Sequence, residues 1–345
     1  KSYDMLRVYP VVVGDLEKVR LGMSEHEFKE LAETVDAVYH AGCFVHSLYP
    51  YSKLRNANVR GTIELLRLAC LNPAKAIPFF YVSSLSVFPG SGTIIRDDES
   101  NYELPLSILS QLSEGYAQTK VVAERLCVEA GKRGIPVKIF RPGRIVGAAT
   151  SSETASTTSS PGSDDIFSRI IKGCLQMGAA PASLEWPVDM NPVDRVAHVI
   201  VHASFVGFGK DGACTIPHAY HMYHPKPLSL NTLFEWLIHE YNYKIEMISY
   251  SDWRKLLETA CAKATDQPNA LFPVFPIFPR DPTQLPSAAD YPIFDCKTTF
   301  AVCGIQQWFS IDDASLTAMF DTMRNVDDEF PTPTSDALSM QFEFD

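Results

Sequence analysis

Short apolar runs alternate with amphipathic stretches through the first 145 residues. Val8 to Val13 is a β-branched run that stops at Gly14 and Asp15, and it reads as a strand. Ser24, three residues ahead of Glu27, has capping-box spacing and opens a helix through Phe28, Leu31 and Ala32. Ala37 to His40 reads as a buried strand ending at Ala41 and Gly42. Asn58 to Cys70 reads as a helix with Val59, Ile63, Leu66 and Ala69 on one side. Phe79 to Val82 is the next strand and ends at Ser83 and Ser84. A helix carrying Tyr116 continues through Val121, Val122, Leu126 and Val128, and the strand Val137 to Phe140 ends at Arg141, Pro142 and Gly143. Apolar strands alternating with amphipathic helices predict an α/β fold, a doubly wound parallel sheet covered on both faces. Ligands of such sheets sit beyond the carboxyl ends of the strands. Gly14–Asp15, Ala41–Gly42, Ser83–Ser84 and Pro142–Gly143 are therefore expected to converge on one rim.

The pattern changes further along the chain. Residues 148–165 are rich in Ser and Thr with Pro161 and Gly162, as expected of a flexible insertion. Helices are predicted over Ile166 to Met177, Ser229 to Tyr241, Ser251 to Ala264 and Asp312 to Arg324, and Asn191 to Phe205 returns to the sheet. Ile245 to Ser249 is a short apolar run. Leu271 to Pro286, rich in proline and phenylalanine, suits an ordered loop against a hydrophobic groove. Residues 1–215 are expected to form a cofactor and catalytic domain, 216–326 a second subdomain, and 327–345 a linker-like tail.

A chain of 345 residues can bury a full core. Its net charge of −11 argues against nucleic acid or an anionic membrane as a partner, because neither attracts a polyanion. No apolar stretch reaches the roughly 20 residues that span a bilayer. The eight cysteines are scattered without a Cys-x-x-Cys pair, which fits reduced core thiols and a cytoplasmic setting.

The candidate chemistry centres on Tyr116 and Lys120. Four residues apart on a helix, they share one face. An ammonium beside a phenol favours the phenolate and makes the tyrosine a usable acid/base near neutrality. Ser84 at a strand end can add a second hydrogen bond to the same reacting oxygen. Tyr49 and Lys53 repeat the spacing, but Pro50 directly after the tyrosine favours an extended or turn start, so this pair is a decoy. Asn58 reads as a structural hydrogen-bonder at a helix start. His218, His221 and His224 lie among Pro217, Pro225 and Pro227 without carboxylate or cysteine at ligand spacing, so they read as exposed loop histidines and no metal site is expected. Trp236 and Trp253 on amphipathic helices read as core.

Several segments carry a family resemblance. They are Gly14 to Leu16, His40 to Gly42, Pro50, Tyr51 and Leu54, Ala57 to Thr62, Ser83 to Phe88, Tyr116 with Lys120, Arg141 to Gly147, and Pro192 to Ala197. In order and spacing the chain resembles the extended short-chain dehydrogenase/reductases. Within them it is most similar to the thioester reductase domains of nonribosomal peptide synthetases, aminoadipate reductases and carboxylic acid reductases. One departure stands out. The family opens with a glycine-rich turn whose backbone N–H groups hold the cofactor pyrophosphate, and this sequence has none. About 60 residues, one βαβ unit and a little more, are missing from the front, as expected of a fragment of a longer multidomain protein or of a natural truncation.

The resemblance implies a Rossmann-like domain with a smaller, mostly helical substrate subdomain. It also implies NADPH as cofactor and a carrier protein bearing a phosphopantetheine thioester as partner, the thioester being released as an aldehyde, which a second hydride transfer would carry on to the alcohol. By matching position, Ser84, Tyr116 and Lys120 would be catalytic, and Ser83, Tyr116 and Lys120 would also bind the cofactor. Asp15 and Leu16 would flank the adenine, Ala41 and Gly42 the adenosine and pyrophosphate, and Pro142, Gly143 and Ile145 the nicotinamide. Asp15 reads equally as a turn residue. Two alternatives stand: a redox-incompetent relative that binds or cyclises the carrier-bound chain, and another extended-family enzyme such as a nucleotide-sugar epimerase or dehydratase.

Overall fold

The computed structural model describes residues 11–72, 75–90, 92–148, 166–182, 184, 186–207, 218–262, 268–327 and 330–332. The expectations for residues 1–10, for 149–165 of the insertion, for Cys214, for the last two residues of the helix ending at Ala264 and for 333–345 of the tail lie outside the described residues.

In chain order the first elements are α1 (Glu25–Thr34), β1 (Val38–His40), α2 (Tyr51–Arg55), a π-helical turn (Asn56–Arg60), α3 (Gly61–Cys70) and β2 (Phe79–Val82). Next come β3 (Ile94–Arg96), α4 (Gly115–Lys132), β4 (Val137–Pro142), β5 (Ile145–Val146), α5 (Ile166–Met177), β6 (Ala179–Pro181), β7 (Pro187–Val188) and β8 (Asn191–Pro192). The remainder is α6 (Val193–Phe205), β9 (His218–Met222), β10 (Leu228–Ser229), α7 (Leu230–Tyr241), β11 (Glu246–Ile248), α8 (Tyr250–Ala262), β12 (Ile293–Asp295), α9 (Lys297–Val302) and α10 (Asp313–Val326). β1, β2, β4 and β9 are hydrogen-bonded in that order.

The chain forms two compact units. The first comprises the described parts of Lys1–Ser83 and Glu103–Ile139. Its strands β1 and β2 pair in parallel, Val38 opposite Phe79 and His40 opposite Tyr81. A parallel pair requires a crossover, which α2 and α3 supply. Leu54, Val59, Leu66, Phe79, Val121 and Ile139 are buried here. α1 starts as its sequence dictates: the Ser24 hydroxyl accepts from the Glu27 N–H at 3.2 Å, and the Glu27 carboxylate accepts from the Ser24 N–H at 2.8 Å. α4 starts at Gly115 because a Cβ there would lie 2.4 Å from the Tyr49 carbonyl oxygen and from the Tyr51 nitrogen. Only glycine allows the start of α4 to close on the start of α2.

The second unit comprises the described parts of Ser84–Tyr102, Phe140–Gly207 and His218–Asp345. It holds two-stranded ladders β5–β8, β3–β12 and β6–β11, all parallel, and antiparallel β7–β10. One continuous apolar cluster fills it, including Phe167, Ile171, Phe234, Trp253 and Phe278. Each such side chain contributes about 1.5–3 kcal/mol on full burial.

Several expectations are corrected. Val11, Val12 and Val13 are not a strand and are exposed, since no described strand offers them a ladder and unpaired backbone is better solvated by water. Gly14–Asp15 therefore does not follow a strand. Tyr39 points outward in β1, which ends the strand order, so only Val38 and His40 are buried there. Helix begins at Tyr51 rather than Asn58, leaving Asn58 inside a π-helical turn. His221 and His224 are buried, not exposed: His218–Met222 is strand β9, whose pairing overrides the flanking prolines. Cys70 is exposed, while Cys127, Cys174, Cys296 and Cys303 are buried, and no two described cysteines are joined in a disulfide. The ordered loop expected over Leu271 to Pro286 is found, as short 3-10 turns with Leu271, Val274 and Phe278 in the core.

Candidate active site

Lys120 is the most constrained polar group of the first unit. Its side chain is buried, and its ammonium donates to the Val82 carbonyl at 2.8 Å, at the last residue of β2. The same nitrogen lies 5.0 Å from the Tyr81 ring centre and 5.7 Å from that of Tyr116. Burial pulls the Lys120 pKa down, while the neighbouring Cys43 thiol and Glu124 carboxylate oppose that shift. The two tyrosines differ. Tyr81 is fully buried, and desolvation raises its phenol further above its ordinary value. Tyr116 is only half-buried, so it is the phenol that can meet an incoming group.

A chain of hydrogen bonds fixes the first turn of α4. Thr119 Oγ1 donates to the Tyr116 carbonyl at 2.7 Å and accepts from Asn58 Nδ2 at 3.0 Å. Asn58 also grips the Phe44 backbone, accepting from its N–H at 2.7 Å and donating to its carbonyl at 3.0 Å. The asparagine is structural, as its sequence context suggests, and what it ties together is the segment after β1 and the base of the Tyr116 turn. His40, at the end of β1, faces Thr62 Oγ1 at 3.0 Å. Burial, and secondarily the Lys120 charge, pushes its pKa down to about 3, so His40 is a neutral neighbour of Lys120.

Asp15, Leu16, Cys43, Phe44 and Ala57 line one open cleft. Leu16 packs over Gly42 and Gly61. The Asp15 carboxylate accepts from the Glu17 N–H at 2.9 Å and pairs with Lys18 at 3.3 Å, a turn geometry that lowers its pKa. Asp15 is thus a turn residue and a cleft residue at once. Ala41 and Gly42 are exposed directly after β1. Ser83 is buried, and its hydroxyl has no hydrogen-bond partner among the described residues.

Ser84 begins the second unit. It caps the turn Leu85–Val87, its hydroxyl accepting from the Ser86 N–H at 3.1 Å. In the same unit Pro142 ends β4, and Gly143 donates to the Met222 carbonyl at 2.8 Å. Ile145 pairs with Asn191. The sequence reading missed Asp189, whose Oδ2 would lie 1.7 Å from a Cβ on Gly143. Nothing in the spacing of Asp189 and Gly143 announces that contact. Cys43 and Phe44 were also missed; their only signal was position just after Gly42. Among the described residues no three His, Cys, Asp or Glu side chains are grouped to hold a metal ion, and no helix is long and apolar enough to cross a membrane.

Comparison with known proteins identifies the class. The sequence model of the NAD-binding family described as Male sterility protein matches residues 2–200. The L-2-aminoadipate reductase large subunit of Candida glabrata is 36% identical over 274 residues, which is 76% of this chain and 19% of that protein. A linear gramicidin synthase polypeptide of Brevibacillus parabrevis is 33% identical over 251 residues, 72% of this chain and 4% of that protein. The solved terminal R domain from the myxalamid PKS-NRPS biosynthetic pathway superposes with a TM-score of 0.73 at 34% identity, covering 91% of this chain and 74% of that one. The chain belongs to this NAD-binding family, as a thioester-reductase-type domain of the extended short-chain dehydrogenase/reductases with their Rossmann-like fold. It spans about a fifth of the length of the curated aminoadipate reductases it matches, 19% and 18%.

Proposed function

We propose that this chain reduces an acyl or peptidyl thioester, carried on the phosphopantetheine of a carrier protein, to an aldehyde with NADPH as reductant. The observation that carries the reading is the buried Lys120 ammonium between the end of β2 and the half-buried Tyr116 ring. The residues present fit the adenine-side cleft and the nicotinamide ribose of a dinucleotide, while the glycine-rich turn that holds the pyrophosphate in the resembled family is not in this sequence. Ser83 offers a buried hydroxyl without a hydrogen-bond partner among the described residues, Lys120 a buried cationic donor, and Asp15 and Leu16 a cleft wall. Asp15 and Leu16 would flank the adenine, Ala41 and Gly42 the adenosine and pyrophosphate, and Pro142, Gly143 and Ile145 the nicotinamide, with Ser83 a further cofactor contact.

Bound NADPH supplies a hydride to the thioester carbonyl carbon. Tyr116 donates a hydrogen bond to the carbonyl oxygen and then transfers its proton as negative charge develops there. Ser84 is the second donor to that oxygen. Lys120 would hold the ribose hydroxyls of the bound cofactor, and its charge stabilises the phenolate left on Tyr116. The hemithioacetal so formed divides into an aldehyde and a free thiol, which leaves with the carrier arm. The division into a cofactor and catalytic part, residues 1–215, and a substrate part, 216–326, belongs to the same proposal.

The test is NADPH oxidation with an acyl-pantetheine thioester, comparing the unaltered protein with Tyr116→Phe. Loss of a general acid lowers the rate by about 10²–10⁴-fold, with the fold and NADPH binding retained. Equal rates for the two proteins sink the reading.

A further inference from the structure

The turn after β4 is held from three sides, and one buried carboxylate makes most of the contacts. Asp189 lies between β7 and β8 and is 7% exposed. Its Oδ2 accepts from the Arg144 N–H at 3.2 Å and from Asn191 Nδ2 at 2.8 Å. Its Oδ1 accepts from the His224 N–H at 2.7 Å. Asn191 completes the clamp, its backbone N–H donating to the Arg144 carbonyl at 2.8 Å. Gly143 carries no side chain because Asp189 Oδ2 occupies that space. All of these donors address an ionised carboxylate, which has no hydrogen of its own to oppose them.

We infer that Asp189 is a positioning residue for the cofactor: its carboxylate fixes the backbone of Gly143 and Arg144 against the nicotinamide and so sets cofactor affinity. This inference rests on the reductase reading above. A neutral acid carries a hydroxyl hydrogen on one oxygen and is a weaker acceptor at both, so protonation loosens the clamp. Burial supports the idea that this switch lies within reach, since it raises the Asp189 pKa from 3.8 to about 7 despite its three donors. The groups facing it are Arg144 from the turn, which favours the anion, and Tyr223 and Cys296, both pushed up by burial and neutral near pH 7. The His224 ring, next to its donating N–H, has its pKa lowered by burial, which favours the neutral ring.

The test pairs two measurements on the full chain, unaltered and as Asp189→Asn. Amide hydrogen exchange at Arg144, corrected for its intrinsic pH dependence, reports the clamp; NADPH titration at pH 6 and pH 8 reports the site. The anionic fraction falls about tenfold between those pH values for a group titrating at about 7. In the unaltered protein both Arg144 protection and NADPH affinity should therefore be about tenfold higher at pH 8. Asp189→Asn, which has no carboxyl to titrate, should show Arg144 protection and NADPH affinity that no longer change between the two pH values. NADPH affinity that ignores pH while Arg144 protection changes overturns the positioning role, as does Arg144 protection that ignores pH. The pH series on the unaltered protein decides the matter even if the variant does not fold. Absence of NADPH binding at either pH overturns it differently, through failure of the reductase reading, and leaves the exchange result to report on the clamp itself.

Discussion

At the scale of single residues, two kinds of constraint act on the candidate site. Lys120 is held by burial and a backbone carbonyl, and it selects Tyr116 over Tyr81 only through exposure, because both rings lie within 6 Å of its nitrogen. Gly143 is held by exclusion. A Cβ at that position would sit 1.7 Å from Asp189 Oδ2, so Gly143→Ala must move the carboxylate or the turn. Such overpacking costs about 1–3 kcal/mol. The two positions should be strongly coupled: Gly143→Ala made in an Asp189→Gly background should lose most of that penalty. A double-mutant cycle of urea midpoints measures the coupling, and additive effects within about 0.5 kcal/mol contradict the contact.

At the scale of elements, what was legible in the sequence was what is decided locally. The α1 capping box is a contact between residues three apart, and the strand Phe79–Val82 and helix Ile166–Met177 are runs bounded by their own breakers. Strand β9 was not legible: His218–Met222 sits between prolines, and His221 is buried through partners such as Arg141, 80 residues away in sequence. The failed strand at Val11–Val13 is the converse, a local propensity with no described partner to pair with. Of the candidate site, the Tyr116–Lys120 pair was legible from helical periodicity, while Asp189 and Cys43 come into play only through tertiary contact. Asn58 shows how such a contact can be tested. It satisfies both backbone groups of Phe44 and supports Thr119 beneath Tyr116, so Asn58→Ala leaves several polar groups without those partners. We expect a loss of about 1–3 kcal/mol, seen as a lowered Tm, together with faster exchange of the Phe44 amide. An unchanged Phe44 amide means that the segment after β1 is held by something else.

For the molecule as a whole, Asp189 makes stability and cofactor binding respond to pH in opposite directions. Its carboxyl titrates near 3.8 when unfolded and about 7 when folded. Between these values the folded state binds more protons than the unfolded state, so this group's contribution to stability is fully present below pH 3.8 and is lost as pH rises through 7. The difference, about three pH units, corresponds to about 4 kcal/mol. The acidic groups with depressed values, such as Asp15 and Glu27, are exposed and slope the other way, so the comparison has to be between the unaltered protein and Asp189→Asn rather than on either alone. The unaltered protein should gain Tm relative to Asp189→Asn as pH falls from 7 to 4, while its NADPH affinity falls over the upper part of that range. A residue that merely supports the fold moves both quantities together. Divergent slopes assign the ionised Asp189 to the site rather than to the stability of the unit around it, because the fold favours the proton and the clamp on the turn after β4 requires its removal.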